Sequence, residues 1–176
     1  MIDPILCMLP YWSSPLIVGR PAWLTPIPEI YKLRARLAIT LDRVEWRDRY
    51  GMVWPTLPGL PTDGKSSPID DRWARETLRP AVTHDNRYLL HKLVRLYFDT
   101  RERADESLKD GLLLDDPREA RRDLFFVRLC GQAVYDYGET TKMDLDWLDA
   151  VAHGPDALAA WIEAIKSGKS VYQATI

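Results

Sequence analysis

The residues with the clearest capacity for chemistry lie in one run, His84-Asp85-Asn86-Arg87-Tyr88, with His91 just beyond it. Histidine titrates nearest neutrality of all side chains, so it serves as a general base toward water. Carboxylates nearby can orient an imidazole or offer oxygen ligands to a hard cation. The run falls in a helical pattern that opens at Pro80, with Val82, Leu89, Leu93 and Leu96 on one apolar stripe at about 100° per residue. Asn86 falls beside the centre of that stripe and Asp85 on its other flank. Each must be hydrogen-bonded there, because an unsatisfied polar group beside a core costs roughly 1–3 kcal/mol. His84, Tyr88, His91 and Arg95 gather on the opposite side. Such a helix is polar on both faces, unlike that of a passive scaffold.

The elements that must position this run are legible in outline. Residues 1–30 hold six of the 13 prolines among Tyr11, Trp12 and Trp23. That density precludes helix and central strand, so an extended arm is expected that lies on its own domain or on a neighbouring subunit. From Tyr31 to Leu41 apolar and polar residues alternate, the pattern of one half-buried strand. Asp42-Arg43 and Tyr50-Gly51 are turn signals that set off further strands over Val44–Arg49 and Met52–Trp54, giving a small antiparallel meander. A turn-rich passage, Pro55 to Pro68, follows. Helices are then expected over Asp70–Leu78, from Pro80 (as a first-turn proline) to about Phe98, and over Glu102–Leu113, Pro117–Tyr137, Asp144–Ala152 and Pro155–Ser167. Gly154 and Gly168 stand where C-terminal caps belong. Strands first and helices after indicate an α+β fold, a single domain over 31–176.

Bulk properties exclude several classes. With 176 residues, 46% apolar and 28% charged, the chain has the size and composition of one folded domain. The net charge of −2 lacks the basic excess of nucleic-acid binders, so no nucleic-acid partner is expected. Cys7 and Cys130 have no metal-ligand spacing and cannot build a disulfide scaffold. No apolar run is long enough for a transmembrane segment. Asp3, Pro4 and Pro10 interrupt the N-terminal apolar stretches, so no secretory signal is expected and synthesis in the cytoplasm is. Serine nucleophile elbows, phosphate loops and dinucleotide fingerprints are absent. His84 and His91 share a face, but no third zinc ligand has suitable spacing.

Thr62-Asp63-Gly64-Lys65-Ser66-Ser67-Pro68, then His84-Asp85-Asn86-Arg87-Tyr88, then Arg103-Ala104-Asp105, resemble a family of unknown function common in phages and prophages. The likeness spans residues 30–113 and leaves out the arm and the helices of 114–176. It implies a phage setting, host-cytoplasmic synthesis and incorporation in the virion. The implied partners are other virion or tail proteins, or further copies of the chain. The His-Asp-x-x-Tyr helix is also similar to the catalytic helix of secreted calcium-dependent phospholipases. That resemblance implies His84 as the base with Tyr88 beside it, Asp85 as a calcium ligand, and Asp105 or Asp63 as the carboxylate that orients the imidazole. Asp85 and Asp63 are then the candidate metal ligands.

A purely structural use of the same residues stays open. Asp63 can cap its own Gly64 turn. His84 and Asp85 in a first helical turn, and Asp105 early in the next helix, suit the helix dipole. The two resulting expectations are a phage-type accessory protein with a metal-assisted hydrolytic site, and a non-catalytic virion piece that docks through its arm.

Overall fold

The computed structural model describes residues 20–34, 37–64, 73–93, 100–118, 120–125, 127–128 and 141–168. Six strands come first: β1 (Ala22–Trp23), β2 (Ile30–Arg34), β3 (Leu37–Thr40), β4 (Val44–Arg47), β5 (Val53–Thr56) and β6 (Pro61–Thr62). Among the described residues four helices follow: α1 (Arg75–Leu93), α2 (Arg101–Asp115), α3 (Lys142–Ala152) and α4 (Pro155–Lys166). Residues 120–125 and 127–128 are also helical. The fold is α+β, as expected. Among the described residues no helix is long and apolar enough to cross a membrane.

The meander is in fact two three-stranded sheets, ordered β1-β4-β5 and β2-β3-β6. The stretch expected as one strand, Tyr31–Leu41, is a hairpin of two, with Tyr31 opposite Ile39 and Arg34 opposite Leu37. Alternation cannot separate these cases, because a tight reversal can leave the period intact on both sides. The burial of β3 decides it: Ala38, Ile39 and Thr40 are all buried, as befits a strand paired on both edges. Its second neighbour is β6, from the turn-rich passage expected as a long ordered loop or an extended run across the sheet. Asp42 joins the sheets, accepting from the Glu29 amide at 2.8 Å.

Residues 20–29 lie against their own domain. Ala22 and Trp23 pair with Arg47 and Trp46 of β4, and Trp23 and Ile27 pack on the core. The Thr25 hydroxyl accepts from the Glu45 amide at 2.8 Å. The arm up to residue 19, Ser66, Ser67, Pro68, Asp70, Arg95, Leu96, Tyr135, Tyr137 and both cysteines lie outside the described residues.

The β4–β5 turn is built on one buried carboxylate. Asp48 Oδ1 accepts from the amides of Tyr50 and Met52, each at 2.9 Å. Its Oδ2 accepts from Trp54 Nε1, also at 2.9 Å. Gly51 closes the turn at φ 84°, a conformation open to glycine at little cost.

The main core joins Val44 and Leu60 of the sheet region, Leu78, Val82 and Leu89 of α1, and Trp147, Val151 and Leu158 of α3 and α4. Trp147 is wholly buried and donates its indole N–H to the Pro58 carbonyl at 2.9 Å. Thr141 caps α3 in a reciprocal capping box with Asp144. Gly154 and Gly168 both take positive φ at the ends of α3 and α4.

α1 departs from expectation in phase. It begins at Arg75, so Pro80 sits inside the helix rather than in its first turn. Proline there removes a backbone hydrogen bond. The buried Leu78, one turn before Val82 on the same stripe, offsets that loss. The helix is enclosed on most sides: Leu78, residues 80–84 and residues 86–90 are all buried. One face meets the sheets and core, and another meets α2. Polar residues on both faces of α1 are therefore residues in two interfaces.

α2 approaches α1 closely at Gly111. A Cβ there would lie 2.9 Å from the Trp23 ring and 3.2 Å from Pro80 Cβ and Cγ. Alanine normally favours a helix over glycine by about 1 kcal/mol. Here overpacking outweighs propensity, and Gly111→Ala is expected to destabilise the fold by about 1–3 kcal/mol in urea denaturation.

Candidate active site

The site assembles where the middle of α1 meets the first turns of α2. Thr100 caps α2, its hydroxyl accepting from the Arg103 amide. The cap sets the phase that turns Ala104 and Asp105 toward α1. Ala104 is wholly buried against Tyr88, and its small side chain lets the helices approach.

Asp105 is the centre of the arrangement, with 0% of its surface exposed. Tyr88 donates its hydroxyl to Asp105 Oδ1 at 2.7 Å. His84 Nε2 lies 3.1 Å from the same oxygen. Because the tyrosine is one turn beyond the histidine, their rings also meet, with centroids 4.1 Å apart at 43°. The second oxygen, Oδ2, lies 3.3 Å from Arg101 Nε. A carboxylate is an acceptor, so Nε2 carries the proton shared with Asp105 and Nδ1 carries the lone pair. Nδ1 makes no hydrogen bond among the described residues, and the ring keeps 10% of its side-chain surface open. This is the geometry of a general base held by a carboxylate.

Of the two carboxylates, Asp105 is thus the one beside the His84 ring. Asp63 is half-buried in the turn after β6, beside Gly64 with its φ of 67°. Thr62 fixes that turn: its hydroxyl accepts from the Gly64 amide at 3.0 Å and donates to Asp85 Oδ2 at 2.6 Å. Asp85 is therefore engaged with the β6 turn, on a different edge of α1 from His84.

Two expectations of a capping role are corrected, one by the start of α1 and one by the orientation of α2. His84 and Asp85 lie in mid-helix, not in a first turn. Asp105, though early in α2, is turned inward rather than toward the helix end. Asn86 does find the partner its position demands, donating to the Pro55 carbonyl at 3.0 Å. His153 is the C-cap of α3, its Nδ1 2.8 Å from the Asp149 carbonyl.

Among the described residues the candidate ligands do not make up a calcium site. Calcium takes about six to eight oxygens. Among the described residues no three His, Cys, Asp or Glu side chains come together around a common point. Asp85 and Asp63 do not form a cage there, nor do His84 and His91.

Arg101 escaped the sequence reading, and Thr62 and Arg87 stood in its motifs without a role. Arg87 is buried with its guanidinium 3.9 Å above the Trp54 ring, and Trp54 is held by Asp48. Farther along α2, Asp110 receives both ends of the Arg49 guanidinium, at 2.8 and 2.5 Å. That hydrogen bond raises the Arg49 pKa still higher. Asp115 likewise pairs with Arg79 of α1. One signal in the sequence marks the row, acids at 105, 110 and 115 on a single helix.

Asp105→Ala is expected to destabilise the chain by about 3–5 kcal/mol, because it strands Arg101 and two donors in a buried interface. Tyr88→Phe keeps the ring contacts and loses one hydrogen bond, so about 1–1.5 kcal/mol is expected in the same denaturant titration. No protein-family model, curated protein or solved structure matches this chain.

Proposed function

We propose that this chain is a phage-type accessory hydrolase in which His84 is the general base and Asp105 its orienting carboxylate. The observation that supports it is the shared oxygen of Asp105, which takes His84 Nε2 and the Tyr88 hydroxyl and leaves Nδ1 with its lone pair. The phage setting, with partners among virion, tail or lysis proteins, rests on the resemblance of residues 30–113.

In the reaction, His84 Nδ1 takes a proton from water as the resulting hydroxide attacks the acyl carbon of an ester. The imidazolium is stabilised by the Asp105 carboxylate through Nε2–H. It then returns the proton from Nδ1 to the leaving oxygen, restoring the neutral ring. Tyr88 holds the Asp105 oxygen in place and takes no proton.

A second reading has one observation in its favour. Asp85 and His84 Nε2 are both engaged in internal contacts, as a non-catalytic virion piece would require. The two readings diverge at Nδ1.

His84→Gln separates them, since the glutamine amide can still donate to Asp105. Wild type and variant are compared on p-nitrophenyl esters, with melting temperature and circular dichroism as controls on folding. The hydrolytic reading expects turnover by the wild type and a loss of about 10²-fold or more in the folded variant. Equal rates, or no turnover by either, favour the structural piece.

A further inference from the structure

We infer that this chain binds further copies of itself head to tail, through a basic face on residues 118–128 and an acidic face on α3 and the start of α4. The inference stands apart from the reading of His84 as a general base.

The charges of the chain nearly cancel in total but not in place. Residues 118–128 carry four arginines against two acids, whereas residues 142–166 carry five acids against two lysines.

The basic face is defined by burial. In the helical residues 120–125 and 127–128, Ala120 and Leu124 are buried, and Ala120 packs with Leu108 and Leu112 of α2. Arg121, Phe125 and Arg128 recur at the spacing of one helical stripe, and all three are exposed, as is Arg118 in the turn before them. Phe125 keeps 63% of its surface open. Arg128 is held by Glu106, but among the described residues no carboxylate pairs with Arg118 or Arg121. Arginine and aromatic residues are the types enriched where proteins meet.

The acidic face has the opposite composition. Helix α3 buries Met143, Trp147, Leu148 and Val151, and leaves Leu145 52% and the Asp149 side chain 71% exposed. Asp156 is exposed in the first turn of α4, just past Gly154. Among the described residues the one cationic partner of Asp149 is His153, at 3.6 Å, and no cation pairs with Asp156. An exposed leucine among carboxylates is the complement of an exposed phenylalanine among arginines.

Charge complementarity selects the occupant. A polyanion such as nucleic acid or an anionic lipid surface would answer the arginines alone, and the acids of α3 and α4 would repel it. A second copy answers both faces, with Arg118 and Arg121 toward Asp149 and Asp156, and Phe125 toward Leu145. A contact between unlike faces leaves one of each kind open at its ends, so it repeats from copy to copy. Exposed ion pairs contribute little each. A weak, salt-sensitive contact is therefore expected, with a Kd on the order of 10–100 µM.

Sedimentation velocity of the full chain over about 5 to 500 µM tests this. Wild type is expected to associate in about 50 mM salt and to do so about tenfold more weakly in about 500 mM salt. Arg118→Glu with Arg121→Glu, and separately Asp149→Lys with Asp156→Lys, are each expected to stay monomeric. Circular dichroism and melting temperature are the controls on folding, and exposed substitutions seldom disturb either. An equimolar mixture of the two variants is expected to associate again, because each reversed face then meets its complement. Arg118→Gln with Arg121→Gln, expected to weaken association about tenfold, decides the matter if a reversed variant does not fold. Variants that associate like the wild type, or a mixture that stays monomeric, overturn the inference. So does a wild type that stays monomeric throughout, which would leave the arginine stripe to a polyanion of another kind.

Discussion

A carboxylate removed from water must be answered by donors and by charge, and α2 carries several. Asp105 is answered by His84, Tyr88 and Arg101, Asp110 by Arg49, and Asp115 by Arg79. The answering residues come from α1, from the β4–β5 turn and from α2 itself. Once these pairs form, α2 has one seat on the rest of the chain. A buried pair is weak evidence for net stability, because desolvation offsets most of the attraction. Its consequence is selectivity, since any other seat leaves charges unpaired. Apolar packing at Ala104 and Gly111 supplies the closeness that this seat requires.

The same constraint explains the character of α1. A helix enclosed on both sides meets a core on one face and a charged helix on the other. Val82 and Leu89 serve the first. His84 and Tyr88 serve the second, while Asn86 and Asp85 reach the β5 and β6 strands through Pro55 and Thr62. The polar residues of α1 thus divide among three partners. His84 meets Asp105 through Nε2 and keeps Nδ1 outside that bond.

Much of this was legible in the sequence, and the failures have physical causes. The α+β order followed from periodicity, and the C-terminal ends of α3 and α4 from Gly154 and Gly168. Asn86 and Asp85 were recognised as groups needing partners, because helical phase alone places them beside the core. Their partners, Pro55 and Thr62, were not recognisable, since they depend on where strands cross the helix. Pro80 was expected to open α1 because proline favours first turns. The buried Leu78 shows that apolar continuity can carry a helix upstream through a proline. The strand at 31–41 was misjudged because alternation persists across a tight hairpin. Asp63 and Asp105 were equal candidates in sequence, and only the Thr100 cap and the seat of α2 bring Asp105 to the imidazole. Arg101 carried no signal, because an arginine at a helix start reads as a solvent residue.

The central claim is that His84 presents an open Nδ1 lone pair in the folded chain. Carbethoxylation with diethyl pyrocarbonate, read by peptide mass spectrometry under native conditions, tests it most directly. His153 has 63% of its side chain exposed and is an internal control. The expected result is modification of both His84 and His153 while the chain stays folded. Modification of His153 alone, with His84 reacting only after unfolding, would contradict the claim and leave the Asp105 cluster as a structural joint.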